Sequence, residues 1–189
     1  MRAYNPLSVD ELGRNAARAL IEYPAAALPP SVAFDGAGVY TLHYTGTFPA
    51  YAGIGTDVPI YVGKADPPGR RQGRTQTSTT VLHSRLQEHA GSIESASNLE
   101  LADFRCRWLV LDPVWIGLTE QVLIAQYQPV WNVVVDGFGN HDPGAGRRNQ
   151  RRSRWDTLHP GREWASSLRD RGETAPDVIA AIKALRERR

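Results

Sequence analysis

Apolar and polar residues alternate along short stretches of the chain, a pattern typical of strands with one covered face. In the clearest stretch, 39–44, Val39, Thr41 and His43 fall on one face and the residues between them on the other. The predicted strands are 39–44, 60–62 and 104–111. The loop between the first two, about 45–58, is rich in glycine and lacks a helix pattern. These two strands are therefore predicted to be antiparallel.

Apolar residues at helical spacing predict helices before, between and after the strands. The apolar stripe of the helix predicted for 81–93 consists of Leu82, Leu86, Ala90 and Ile93. A capping box from Ser8 to Glu11 predicts a helix through 12–22, and Thr174 with the following proline predicts the start of a closing helix. The remaining predictions are a helix including 118–127, an extended segment at 131–135 and an irregular segment at 156–162. The fold class is α+β.

Composition and charge narrow the class of protein. The 189 residues suit a single domain, and 41% hydrophobic residues suffice for a core. The single cysteine excludes an intramolecular disulfide framework, and its apolar surroundings predict that Cys106 is a core residue. With no secretory signal pattern and no long apolar run, we expect a cytoplasmic protein without a membrane span. Arginines cluster at 70–74 and 147–154, where they could bind phosphates or form solvated surface.

Two tripeptides on the first two predicted strands resemble the signature of the GIY-YIG nuclease superfamily. They are Gly38-Val39-Tyr40 and Tyr61-Val62-Gly63. The order of later residues is also similar to the family: Arg85 and His89 on the next helix, then Glu120 and Asn132. The resemblance implies a small three-stranded antiparallel sheet flanked by helices. It also implies a core of about 36–135, between an N-terminal helical arm, 1–35, and a C-terminal extension, 136–189, for DNA binding and dimerisation.

Longer stretches resemble one branch of that family, the type II restriction endonucleases that cleave CCGCGG. They are 61–65, 84–89, 129–132, 135–141, 143–147 and 159–164. This resemblance implies double-stranded DNA as substrate and a homodimer on DNA, because a palindrome is read by a two-fold assembly. It also implies a matching DNA methyltransferase in the host, not as a bound subunit.

The residues that match the family motif would supply the chemistry of phosphodiester hydrolysis. Glu120 is the expected ligand of a single Mg²⁺ or Mn²⁺, since hard cations prefer carboxylate oxygen. Tyr40 or Tyr61 would activate the water, provided that nearby positive charge lowers a phenol pKa from about 10. The resemblance favours Tyr40 for this role. The alternatives are packing roles for the tyrosines and, for Glu120, an ordinary surface position near a helix N-terminus.

Four further residues are expected to assist. Arg85 would stabilise charge on the phosphate, and His89, on the same helix face, would bind Tyr40 or shuttle a proton. Lys64 would lower a tyrosine pKa or bind phosphate. Asn132 is predicted to hold the Glu120 segment in position.

Candidate DNA-binding residues lie in the loops and in the C-terminal extension. They are Arg70, Arg71, Arg74, Gln76, Asn140, His141, Arg147 and Arg148. Arginine binds guanine bidentately, but phosphates take half or more of protein–DNA hydrogen bonds, so most of these would contact the backbone. The histidine spacing fits no common zinc site. Two alternatives stay open: another GIY-YIG nuclease, for repair, homing or structure-specific cleavage, and a non-catalytic DNA-binding module.

Overall fold

The computed structural model describes residues 8–67, 80–142 and 150–188. Its helices are α1 (Val9–Glu22), α2 (Val81–Glu94), α3 (Pro113–Tyr127), α4 (Val130–Val133), α5 (Arg154–Leu158), α6 (Glu163–Ser166) and α7 (Ala175–Arg186). Its strands are β1 (Ala26–Ala27), β2 (Gly38–Tyr44), β3 (Pro59–Ala65) and β4 (Phe104–Val110). Short 3-10 helices are Pro49–Tyr51 and Leu101–Asp103. None of the helices described is long and apolar enough to cross a membrane.

The antiparallel sheet has four strands in the order β1-β4-β2-β3, so the predicted three-stranded sheet was wrong by one strand. The additional strand is β1, in which Ala26 pairs with Cys106 and Ala27 with Arg105. Two alanines show neither alternation nor strong β propensity, so only pairing with β4 makes this segment a strand. The predicted antiparallel pairing of the first two long strands is confirmed.

Strand β2 lies at the centre of the fold, and all seven of its residues are buried. Successive side chains point to opposite faces of a sheet. Tyr40 and Leu42 pack with Leu86 of α2, on what we call the α2 face. Val39 packs with Leu123 of α3, on the α3 face. Strand β3 is an edge strand, so side chains from both faces can meet beside it.

Several predicted elements agree with the structure. Helix α1 follows Ser8, whose Oγ accepts a hydrogen bond from the Glu11 amide at 3.2 Å. The predicted stripe of α2 is buried in full. Helix α7 begins with a capping box between Thr174 and Asp177. Cys106 is a buried free cysteine, as expected.

Two predictions of local structure were wrong, and one helix is longer than the predicted segment. Helix α3 includes 118–127 as predicted but begins at Pro113, because Asp112 caps it and accepts a hydrogen bond from the Val114 amide. The segment predicted as extended at 131–135 begins in helix α4, whose Trp131 is buried. The irregular segment predicted at 156–162 begins in helix α5, which Ser153 caps. In each case a side-chain cap or burial determines the backbone conformation. The spacing of apolar residues along the sequence indicates neither.

The described part of the C-terminal extension packs into the same core as the sheet. Trp155, Val178 and Ile182 belong to one buried cluster with Tyr40 and Leu42. Trp131 lies between the two parts, with its ring centroid 4.5 Å from that of Phe138 and 5.8 Å from that of Trp155. The assignment of core, arm and extension to separate roles stays a prediction.

Candidate active site

The glycines of the two tripeptides lie where a neighbouring ring or strand comes very close. Tyr40 pairs across the sheet with Gly63, and a Cβ at Gly63 would lie 2.5 Å from Cζ of Tyr40. A Cβ at Gly38 would overlap the backbone of β4, 3.0 Å from the carbonyl carbon of Leu109. The glycines of both tripeptides are thus required by close approach, since glycine alone lacks a Cβ.

Tyr40 forms a short hydrogen bond with His89 of α2, with 2.5 Å between Oη and Nε2. Burial raises the pKa of Tyr40 well above its usual value and Tyr61 adds to the rise, while Arg85 opposes it. Burial and the charge of Arg85 lower the pKa of His89 to about 3. Both groups are therefore neutral near pH 7, and the phenol can donate its proton to the imidazole. The predicted contact between these residues is present.

Tyr61 of β3 lies on the α2 face, with its ring centroid 6.2 Å from that of Tyr40. Burial raises its pKa, Arg85 lowers it and the charge of Glu120 raises it further. Arg85 by itself therefore does not lower the pKa of either phenol below its ordinary value. Burial outweighs the charge of Arg85, since loss of hydration is the largest cause of the raised pKa at each phenol.

Arg85 is held by three groups that surround its guanidinium. Its Nη1 donates to Glu88 Oε2 at 2.9 Å and to Nε2 of His141, and its Nη2 donates to the carbonyl of Gly139 at 3.3 Å. The last two residues belong to the loop after α4, more than 50 positions away. Arg85 therefore lies where helix α2 meets the C-terminal extension.

Lys64 and Glu120 form an ion pair of 2.9 Å at the edge of the sheet, on the α3 face. Lys64 pairs with Val39 across the sheet, so its side chain leaves β3 on the side opposite Tyr61. The cation that opposes the rise in pKa of both tyrosines is Arg85, whereas Lys64 binds the candidate metal ligand. Glu120 also lies in the middle of α3 and not near its N-terminus, because the helix begins at Pro113.

Asn132 binds the exposed edge of β3 with both ends of its amide. Its Oδ1 accepts from the amide of Val62 and its Nδ2 donates to the carbonyl of Val62, each at 2.8 Å. The expectation that Asn132 holds the Glu120 segment is modified: it ties the chain after α3 to the strand that carries Tyr61 and Lys64.

The residues present fit a hard divalent cation with few protein ligands. Glu120 is one-fifth exposed, and its carboxylate can exchange Lys64 for a cation. Among the residues that the structure describes, no group of three or more His, Cys, Asp or Glu could enclose a metal. A single carboxylate is nevertheless compatible with Mg²⁺, which keeps several waters.

Most of the DNA-binding candidates fall outside the described residues. These are Arg70, Arg71, Arg74, Gln76, Arg147 and Arg148. The described ones have intramolecular partners: the carbonyl of Asn140 accepts from Arg162 at 3.1 Å, and His141 accepts from Arg85. In the second arginine cluster, Arg154 forms an ion pair with Glu173. At least part of that cluster therefore stabilises the fold.

Two residues of the site were missed from sequence. Phe138 stacks on His89, with centroids 4.5 Å apart and planes 19° from parallel, and contacts Tyr61 edge-on at 5.0 Å. A Cβ at Gly139 would lie 2.9 Å from Oη of Tyr61. The signal available in the sequence was an aromatic residue between two glycines, shortly after an apolar, strand-like run.

An antiparallel sheet with two tyrosines on adjacent strands, followed by an arginine–histidine helix and a glutamate helix, defines the GIY-YIG class of nuclease. The family model described as the Eco29kI GIY-YIG domain matches residues 32–185. The chain therefore belongs to this family of GIY-YIG restriction endonucleases, and it is a DNA nuclease. A search of curated proteins found no match.

Proposed function

We propose that this chain is a type II restriction endonuclease that hydrolyses double-stranded DNA at a GC-rich palindrome, CCGCGG, with one divalent cation, Mg²⁺ or Mn²⁺. The observation that carries the proposal is the Tyr40–His89 hydrogen bond of 2.5 Å beside Arg85 and the edge strand β3. Phosphodiester hydrolysis needs an activated water, a cation near the phosphate and help for the leaving oxygen. The site offers groups for the first two.

Tyr40 and His89 are suited to remove a proton from the attacking water together. A free phenolate is disfavoured, because burial raises the pKa of Tyr40. If Tyr40 donates its proton to Nε2 of His89 while its oxygen accepts one from water, no separate phenolate is required. This transfer needs a direct contact between the two side chains, which the distance provides.

Arg85 is the group best placed to bind the scissile phosphate. Its guanidinium offers five N–H donors in one plane, more than its present partners use. The negative charge of a phosphate would compete with Glu88 for Nη1, the atom that also donates to His141. Charge added to the phosphate in the transition state would strengthen this contact.

Glu120 would hold the cation, which when bound supplies Lewis-acid stabilisation of phosphate charge. Without the cation, Lys64 neutralises the charge of Glu120. Once a cation binds Glu120, Lys64 would be available to a phosphate oxygen. Tyr61, whose pKa responds to both Arg85 and Glu120, would orient the phosphate between them.

The rest of the proposal concerns partners and context. A two-fold palindrome requires two copies of the chain on DNA, and a restriction enzyme implies a methyltransferase that protects host DNA. A cytoplasmic location follows from this role. We assign DNA binding, mostly through phosphates, to the arginine-rich segments together with Asn140 and His141.

Digestion of a phage genome in Mg²⁺, followed by sequencing of the ends, tests the proposal. Ends at one palindrome are expected from the wild type. Glu120→Gln should bind the same DNA in a gel shift and leave it uncut, whereas the matched control Glu94→Gln, at the exposed end of α2, should cut normally. Cutting by Glu120→Gln at the wild-type rate would contradict the metal site. Cleavage confined to nicked or branched substrates would favour a repair or structure-specific nuclease.

A further inference from the structure

A buried arginine of the C-terminal extension organises the loop that reaches the candidate active site. The Arg162 side chain is 4% exposed and forms an ion pair of 2.7 Å with Asp156. Its guanidinium lies between the rings of Trp155 and Trp164, 4.4 and 4.8 Å from their centroids. Arg162 is therefore enclosed, and DNA could not reach it without rearrangement of the fold.

Both terminal nitrogens of Arg162, Nη1 and Nη2, donate to one loop, residues 137–141. They donate to the carbonyls of Gly137 at 2.9 Å, Phe138 at 3.0 Å and Asn140 at 3.1 Å. A single guanidinium thus fixes three of the five backbone units of the loop. Buried carbonyls need such donors, and charge-assisted hydrogen bonds are stronger than neutral ones.

The same loop supplies contacts to the groups proposed for catalysis. Phe138 covers the ring of His89, the Gly139 carbonyl accepts from Arg85, and His141 accepts from Arg85. Arg162 contacts none of the reacting groups by hydrogen bond, but its charge is among the causes that lower the pKa of His89.

The segment that carries Arg162 is itself braced against the end of α2. The amide of Ser97 donates to the carbonyl of Pro160 at 2.8 Å. A Cβ at Gly161, where φ is +149°, would overlap the backbone of Ser95. Arg162 therefore links the loop to the helix that carries Arg85 and His89, and fixes one relative to the other.

We propose that Arg162, held by Asp156, is a positioning residue for DNA cleavage: it fixes the loop 137–141 so that this loop orients Arg85 and His89. The inference rests on the proposed function, which it deepens by assigning a role to the extension. Lysine retains the charge but can neither span three carbonyls nor keep the planar contact with the tryptophans.

Arg162→Lys tests the proposal, with Arg107→Lys as a matched control. Arg107 is also buried and donates to a carbonyl, that of Tyr23, and to a carboxylate, that of Asp57, but its ring partner is His43 on the α3 face. Both substitutions should destabilise the fold. Only Arg162→Lys should lower the cleavage rate constant at saturating enzyme, by about 10- to 100-fold, with DNA affinity changed by less than about threefold.

Histidine ring signals in NMR spectra give a readout that needs no activity. Arg162→Lys should move the signals of His89 and His141 and leave that of His43 in place, and Arg107→Lys should do the reverse. Should Arg162→Lys fail to fold, Trp164→Leu replaces it, since Trp164 is only partly buried; the same signals should move, with a smaller loss of rate.

Two results would overturn the proposal. One is a folded Arg162→Lys, or its replacement, that cleaves within about twofold of the wild type. The other is a set of His89 and His141 signals that the substitution does not move. An inactive wild type would instead contradict the proposed function, and the NMR signals would then decide alone whether Arg162 positions Arg85 and His89.

Discussion

At the scale of single residues, the geometry of the site depends on a glycine, which lacks a Cβ, as much as on the side chains proposed for catalysis. Gly63 gives Tyr40 the space to lie across β3 and reach His89. A methyl group at this position would push on the phenol ring itself and not on a flexible side-chain end. The geometry of the tyrosine–histidine contact is therefore set by a residue with no chemistry of its own.

Gly63→Ala is expected to cost about 1–3 kcal/mol of stability by overpacking and to lower cleavage about 100-fold by displacing the Tyr40 ring. Gly91→Ala is the matched control, because a Cβ at this position of α2 meets nothing within 4 Å. It should raise the free energy of unfolding by about 1 kcal/mol, since alanine favours helix, with cleavage unchanged. Urea denaturation and a plasmid cleavage assay measure both; equal activities in the two variants would contradict the argument.

At the scale of elements, the edge strand β3 brings the two faces of the sheet together. Tyr61 leaves it on the α2 face and Lys64 on the α3 face. Asn132 occupies the hydrogen-bonding position that a further strand would take at Val62. The short segment after α3 thereby protects the edge and fixes the strand that carries half of the site.

Asn132→Ala should leave the amide and carbonyl of Val62 without their partner and cost about 1–3 kcal/mol of stability. Cleavage should fall as well, because Tyr61 and Lys64 flank this position. Gln128→Ala serves as control: its amide also donates to carbonyls, those of Ile124 and Ala125, but at the exposed end of α3. Thermal unfolding measures both variants. If Gln128→Ala lowers the melting temperature as much as Asn132→Ala does, the contact at the strand edge is unimportant.

At the scale of the whole molecule, the C-terminal extension and the sheet share one aromatic core. Within it lies a second buried tyrosine–histidine pair, in which Tyr51 contacts His159 and also accepts from Nε1 of Trp131 at 2.7 Å. The other ring nitrogen of His159 donates to Asn98 at 2.8 Å. This network joins the extension to the core, and it favours a neutral imidazole because Nε2 of His159 accepts from Tyr51 while Nδ1 donates.

Buried neutral histidines should make the protein sensitive to acid. Burial lowers the pKa of His43 to about 4 and that of His89 and His159 to about 3. In the unfolded chain each histidine binds a proton near pH 6.5. The unfolded state then holds more protons than the folded state, so stability is full above pH 6.5 and falls as the pH drops towards the folded pKa.

Each of these histidines should lower the free energy of unfolding by roughly 2 kcal/mol at pH 5. Urea denaturation at pH 7.5, 6 and 5 measures the slope. His159→Gln should be less stable at pH 7.5, but its stability should fall less steeply with pH. The unfolded variant has one histidine fewer to protonate. A wild-type midpoint that does not change between pH 7.5 and pH 5 would contradict the neutral, buried state of these rings.

The sequence by itself determined the elements with strong local signals and the order of the motif. The alternation of β2, the stripe of α2 and the caps of α1 and α7 are local, so they can be read without the fold. The tripeptides around Tyr40 and Tyr61 indicated the family, which the match of residues 32–185 supports.

Only the tertiary structure decided how these pieces meet. Strand β1 exists because β4 pairs with it, and Phe138 reaches His89 because Arg162 fixes its loop. Lys64 forms its ion pair with Glu120 on the face opposite Tyr61, because successive side chains of β3 point to opposite faces of the sheet. Burial then outweighs the charge of Arg85 at both phenols, and burial depends on contacts between residues far apart in the chain.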